Sequence, residues 1–293
     1  MSEFPIDIRG LRKSFKDKPV LNGVDLKIPP GSVVGLIGTN GTGKSTLIKC
    51  LLGLLRIDSG EAEVLGEDPW DLSESAKARL GYVPQEIKLY PWMKLRQTIR
   101  YQSAWYENWD WNLTDRLVSD FELPEKQTVG SLSQGQLQRL MIILANGHRP
   151  ELLILDEPVA SLDPIGRRQF LRSLLRGDDD WSPTVLFSTH IMSDLERVAS
   201  HVAIMQDGRI SCFEELDELK DRVKRLRIAS SSDLPPTFSV DGALRTEVHG
   251  RNALVAVPAV SESLVDGLKS RWDADVSVED LNLEEIFLEM HDE

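Results

Sequence analysis

The chain has 293 residues, enough for one large α/β domain and a small appendage. Apolar residues make up 41% and charged residues 28%, which supports a packed core and argues against disorder. With 47 acidic residues against 34 basic ones the net charge is −13, a poor balance for gripping a phosphate backbone, so no nucleic-acid partner is expected.

In chain order, residues 6–11 and 24–28 alternate like antiparallel strands around a polar loop at 16–19. Pro29-Pro30-Gly31 breaks the run. A short β-branched strand at 33–37 enters a glycine-rich loop, and a helix is predicted at 44–55. Strands follow at 62–65 and 81–84, with Gln85 next; from there to about Gly147 the pattern is helical. Tyr90, Trp92, Tyr101, Trp105, Tyr106, Trp109 and Trp111 crowd this segment, and most of them are expected in a local core. Residues 152–156 and 184–188 are apolar runs suited to parallel strands covered on both faces. A helix is predicted at 167–176, and strands at 201–205 and 209–213 pair across Asp207-Gly208. Beyond about 220 the texture shifts. A basic run at 220–227 leads to serines at 230–232 and Pro235-Pro236, which read as a joint. Strands at 243–248 and 253–257, a helix at 261–271, a strand at 275–278 and a helix at 283–290 then suggest a small α+β domain.

Cys50 and Cys212 lack metal-ligand spacing and read as small buried hydrophobes in a reducing compartment. No apolar run approaches the roughly 20 residues a membrane helix needs. The first ten residues show neither the basic start nor the apolar stretch of a signal peptide. A soluble protein is expected, with any membrane role exercised through a partner.

Gly38-Thr39-Asn40-Gly41-Thr42-Gly43-Lys44-Ser45-Thr46 matches GxxxxGK[ST], after a strand and opening a helix. Glycines let successive backbone N–H groups turn inward on phosphate oxygens, and the helix start adds a positive dipole end. Lys44 is placed to reach the β- and γ-phosphates, and the Ser45 hydroxyl to ligate Mg²⁺. The motif marks a nucleotide binder without separating transport ATPases from GTPases or small-molecule kinases. Asp156 and Glu157 end a buried strand, where ligands bind in doubly wound sheets. There Asp156 is placed to hold the metal and Glu157 to orient or deprotonate an attacking water.

Leu132-Ser133-Gln134-Gly135-Gln136 resembles the signature motif of ABC ATPases, LSGGQ, with Gln134 in place of a glycine. Phosphate loop, signature and carboxylate strand occur in that family's order and spacing, over residues of about 4–216. The resemblance implies a P-loop NTPase of ABC type, α/β in class. It comprises a RecA-like parallel core sheet, an N-terminal antiparallel β subdomain and a helical subdomain at about 86–147. The ATPase domain would span 4–220, with a small α+β accessory domain over 226–293 of the kind found on exporter-type members.

It implies ATP and Mg²⁺ as ligands, and ATP hydrolysis coupled to transport. Each phosphate loop would be completed by Ser133, Gly135 and Gln136 of a second subunit, a homodimer or a paralogue, head to tail. Gln85 resembles the glutamine that senses metal and water and couples the site to membrane subunits. Asp163, in Ser161-Leu162-Asp163, resembles the loop that crosses the dimer interface. His190 resembles the switch histidine that contacts the γ-phosphate and Glu157, and Phe15 the aromatic that stacks on adenine. The partners implied are integral membrane transporter subunits that hold the protein peripherally on the cytoplasmic face. A soluble ABC ATPase acting on ribosomes or DNA is the alternative. It is disfavoured because the chain has one cassette and fewer than about a hundred residues between loop and signature.

Overall fold

The computed structural model describes residues 3–159, 162, 166–167 and 181–290. Two compact units divide the chain, Met1–Phe213 and Glu214–Glu293.

The first unit holds two sheets. In one, β1 (Ile6–Phe15) lies between β2 (Lys18–Ile28) and β4 (Ser59–Val64), antiparallel to both. Ile6, Ile8 and Leu11 are all buried although simple alternation would turn Leu11 outward. A bulge between Ile8 and Leu11, where Gly10 takes φ 57°, resets the phase, and Asp25 Oδ1 accepts the Gly10 N–H at 2.8 Å.

The second sheet has the order β5 (Leu80–Val83), β6 (Leu152–Asp156), β7 (Thr184–Ser188), β3 (Val33–Ile37), β8 (His201–Gln206), β9 (Arg209–Glu215). β5 through β8 run parallel. Buried on both faces, β6 and β7 are apolar almost throughout, which is why their sequence limits match the predicted ones. β8 and β9 turn through Asp207 (φ 49°) and Gly208 (φ 74°), the paired left-handed conformations of a tight hairpin.

Helix α1 (Lys44–Leu51) follows β3 and stops four residues short of the predicted end. Gly53, at φ 65°, gives its N–H to the Cys50 carbonyl while Leu54 reaches back to Lys49 O. This pair of bonds closes a helix with a left-handed glycine, and the apolar residues beyond it no longer follow the helical period.

Helices α2 (Glu74–Ala78), α3 (Leu95–Ser103), α4 (Trp111–Asp120) and α5 (Gln134–Asn146) come next, and α3 and α4 pack on α5. The aromatic segment departs from expectation. Tyr90, Trp92, Tyr101, Trp105 and Trp111 are exposed, with Trp92 at 70% and Trp105 at 73%. Leu95, Thr98 and Ile99 occupy the inward face of α3, so Tyr101 falls on the opposite side.

The strand-loop junction after α5 buries His148. Its Nε2 donates to Leu80 O at 3.2 Å, its ring stacks on Tyr106 at 4.0 Å, and Nδ1 is buried with no hydrogen-bond partner. Burial depresses its pKa to about 4, against a smaller upward pull from the Leu80 carbonyl. The unfolded chain takes up this proton near pH 6.5 and the folded one only near 4, so stability falls as pH drops across that interval and levels off below it. His148→Gln, which does not titrate, is expected to shrink the loss of urea midpoint between pH 7.5 and 4.5 by the equivalent of roughly 2–4 kcal/mol. An unchanged pH dependence would show that this imidazole is not its source.

A short helix, α6 (Met192–Leu195), lies between β7 and β8 in the first unit, and the second unit has a sheet of its own. After α7 (Leu216–Arg222), strands β10 (Lys224–Ser230), β11 (Arg245–His249), β12 (Asn252–Val257) and β13 (Ala274–Asp280) form an antiparallel sheet ordered β11-β12-β10-β13. Helix α8 (Glu262–Trp272) packs on β13, and α9 (Leu283–Met290) ends the described chain.

The stretch expected as a joint, residues 230–236, is instead part of the second unit's fold: the end of the basic run before it and Ser230 lie on β10, an inner strand. Leu226 and Ile228 point into the core, and Ser230 Oγ donates to Trp272 O at 2.8 Å. Leu234 and Phe238 also enter that core across the proline pair. The basic run is neutralised within the unit: Arg222 pairs with Glu214, Lys224 with Asp280, Arg225 with Glu289 and Arg227 with Glu279.

Candidate nucleotide site

β3 ends at Ile37 and the chain curls through residues 38–43 into α1. Two glycines carry the curl, Gly41 at φ 88° and Gly43 at φ 110°. Gly38 is required for a different reason: a Cβ there would lie 2.5 Å from the Met205 carbonyl oxygen. Thr42 Oγ1 donates to Thr39 O at 3.0 Å, which tightens the loop. Thr39, Asn40 and Gly41 are exposed at its rim, and Thr46 is half-buried on the first turn of α1.

Lys44, only 7% exposed, folds back along the loop and gives its ammonium to Gly38 O at 2.8 Å and Thr39 O at 3.1 Å. Burial lowers its pKa, and the charges of Glu157 and Asp156 pull the other way. The loop therefore holds a cation with carbonyl partners only, next to a rim of backbone that can take an anion.

The parallel pairing of β6 and β7 sets Asp156 opposite Ser188. Ser45 Oγ donates to Asp156 Oδ1 at 3.1 Å, and Ser188 Oγ donates to the same oxygen at 2.8 Å. One residue on, Glu157 takes φ 51°, a left-handed conformation that costs a residue with a side chain about 1 kcal/mol or more. Its N–H donates to Ser188 Oγ at 2.9 Å, and its Oε2 lies 2.8 Å from His190 Nδ1. Glu157's side chain is 9% exposed and that of His190 54%, so the pair faces outward from a nearly buried carboxylate.

The strands thus bring Lys44, Ser45, Asp156, Glu157 and His190 together at the carboxyl end of the sheet. Gln85 is exposed two residues beyond Val83, and Val83 pairs with Leu155, which puts the glutamine at the same end of the sheet. Phe15, 46% exposed, closes the β1–β2 hairpin with Lys13 Nζ 5.8 Å from its ring centre. Ser133 and Gly135 sit elsewhere, at the start of α5. Ser133 caps that helix, accepting from Gln136 N at 3.2 Å while the Gln136 side chain accepts the Ser133 N–H at 2.9 Å. Among the described residues neither Ser133 nor Gly135 shares a hydrogen bond with loop 38–46. Asp163, Ser161 and most of the helix predicted at 167–176 lie outside the described residues. Ser188 was not among the predicted site residues; its only local signal is a hydroxyl closing an apolar strand.

A parallel sheet whose central strand runs through a glycine loop into a helix, with a strand ending in carboxylates set one strand away across β7, defines a P-loop nucleoside triphosphatase. Residues 21–160 match the protein family described as ABC transporter. Over 97% of its length the chain is 30% identical to 97% of YhaQ, an uncharacterized ABC transporter ATP-binding protein of Bacillus subtilis. The chain belongs to this family: it is an ATP-binding ATPase subunit of ABC type. It is also 36% identical, over 71% of its length, to 70% of the Nod factor export ATP-binding protein I of Burkholderia orbicola. The solved ATP-binding subunit of an ABC transporter superposes with a TM-score of 0.67 at 28% identity, over 73% of this chain and 91% of that one. A dimeric bacterial ABC transporter cassette shares the fold at TM-score 0.64 and 21% identity, over 72% and 98% of the two chains.

Proposed function

We propose that two subunits meet head to tail, hydrolyse ATP at their shared boundary and drive a substrate through a partner membrane protein. The observation that carries this reading is the split site. The loop, carboxylates and His190 gather at the carboxyl end of the sheet, while Ser133 caps an exposed helix start with, among the described residues, no bond to that loop. Ser133 Oγ accepts from its own helix, which leaves its proton to donate, and the N-terminus of α5 adds a positive dipole end. Those are groups for a γ-phosphate, supplied to a neighbour's loop. Gln134 stands at the first helical position; Gly135 keeps the backbone donor available, and Gln136 orders the cap.

Within each site, Lys44 holds the β- and γ-phosphates and the N–H groups of residues 38–46 surround them. Ser45 and Asp156 fit magnesium. Among the described residues no group of three or more His, Cys, Asp or Glu could form a protein cage, and magnesium needs none when phosphates and water complete its shell. Ser45 and Asp156 would hold the metal, which when bound would neutralise phosphate charge, and Gln85 would sense it. Glu157 receives a proton from the attacking water, and His190 orients that carboxylate. Phe15 stacks on adenine, and Asp163 lines the subunit boundary.

Residues 4–220 act as the ATPase domain, with the helical part at about 86–147, and 226–293 as an accessory domain. Among the described residues no helix is long and apolar enough to cross a membrane, so transport calls for integral membrane subunits. The exposed ladder Tyr90–Tyr101–Trp105, with ring centres 5.9 and 6.4 Å apart, offers them a docking surface. These partners place the protein on the cytoplasmic face. The relative named for Nod factor export supports an export direction.

Mixing two inactive variants tests the shared site. Lys44→Ala spoils the loop, and Gly135→Asp sets a carboxylate against the neighbour's triphosphate. A head-to-tail heterodimer of the two has one doubly damaged site and one intact site, so an equal mixture should regain about a quarter of wild-type turnover. A mixture as inactive as its components would remove the head-to-tail arrangement.

A further inference from the structure

We propose that Ser188 is a positioning residue that locks the metal-side carboxylate and the base into one register. This inference rests on the roles given above to Asp156 and Glu157. Ser188 is fully buried at the last position of β7, directly across from Asp156. Its hydroxyl does two jobs at once. The O–H donates to Asp156 Oδ1 at 2.8 Å, and a lone pair accepts the Glu157 N–H at 2.9 Å.

Both bonds act where the backbone is least able to hold itself. Glu157 leaves the ladder at φ 51°, where its N–H no longer has a strand partner in register. Without an acceptor, that peptide is free to relax out of the left-handed region and carry the carboxylate away from His190. On the other side, Asp156 Oδ1 receives two hydroxyls, from Ser188 and from Ser45 at 3.1 Å. Two donors converging on one oxygen fix the rotation of the carboxylate, as outer-shell partners fix metal ligands elsewhere. A change in Ser188 therefore reaches the metal through Asp156 and the water through Glu157, with no contact to either.

The test separates the hydroxyl from the volume of the side chain. Ser188→Ala deletes the oxygen; Ser188→Thr keeps it; Ser188→Val has the shape of Thr without it. The magnesium concentration that half-maximally strengthens ATP binding is measured for each, beside binding in EDTA, kcat and melting temperature. Ala and Val are expected to need about tenfold more magnesium and to lose about 10- to 100-fold in kcat. Thr should stay within about threefold of the wild type on both counts, and binding in EDTA should be common to all. If the β-branched variants do not fold, Ala alone decides by its magnesium demand.

Wild-type magnesium demand and kcat in a folded Ala variant would overturn the proposal. So would Thr failing as badly as Val, which makes the role one of volume. Asp156→Asn serves as the reference. If it raises the magnesium demand and Ser188→Ala does not, only the present inference fails; if it too leaves the demand unchanged, the metal assignment of Asp156 fails.

Discussion

Glu157→Gln is expected to reduce ATP turnover by about 10²- to 10⁴-fold while leaving ATP binding intact. The amide has the carboxylate's size, so the Ser188 bond to the Glu157 N–H and the packing at the end of β6 remain. Its oxygen can still accept from His190 Nδ1, 2.8 Å away in the parent protein. What it cannot do is take a proton from water. The loss corresponds to about 3–5 kcal/mol of barrier, all of it in the chemical step. Binding energy that normally ends with bond cleavage then has no exit, so the closed two-subunit ATP complex accumulates. Light scattering should find a dimer with ATP and magnesium and a monomer with ADP. A variant turning over within threefold of the parent, or one still monomeric in ATP, contradicts the roles given to Glu157 and the dimer.

The parts of this site differ in how openly the chain declares them. β3, β6 and β7 are short apolar runs bracketed by polar or glycine residues, and the limits 33–37, 152–156 and 184–188 follow from that contrast alone. Lys44, Ser45, Asp156 and Glu157 ride on those strand ends and are legible with them. The His190–Glu157 contact needs β6 beside β7, a fact of topology that only resemblance could suggest. Ser188 was invisible because its value lies in cross-strand register: on the chain it is one more serine, and 32 residues separate it from Asp156.

Elsewhere backbone geometry overrode pattern. The bulge at Gly10 shifted the phase of β1, and a left-handed glycine at 53 ended α1 early. At 230–236, residue types that favour turns hid a segment whose Leu234 and neighbouring Phe238 fill a core. The acids that neutralise the basic run at 220–227 lie as far off as Glu289, beyond the reach of any local window.

Lys44→Ala is expected to abolish useful ATP affinity, by two to three orders of magnitude in Kd. The ammonium is almost wholly enclosed, and its two present acceptors are neutral carbonyls of its own loop. Burial has already lowered its pKa, so the loop bears the cost of an enclosed charge before any ligand arrives. Phosphate oxygens repay that cost with charge-assisted bonds of about 1.5–3 kcal/mol each, and the placement of Lys44 allows two. Losing both gives about 3–4 kcal/mol after the enclosed charge itself is removed, hence the predicted change in Kd.

Arginine is not a substitute, because a planar fork cannot fold back between Gly38 and Thr39 as a point charge does. Since a ligand that binds only the folded chain raises its melting temperature, the ATP-induced shift reads the loss directly. The shift should vanish for Lys44→Ala at concentrations that saturate the wild type, while the melting temperature without nucleotide reports any loosening of the loop. A full ATP-induced shift in that variant would mean that the phosphates are held by the backbone cradle alone.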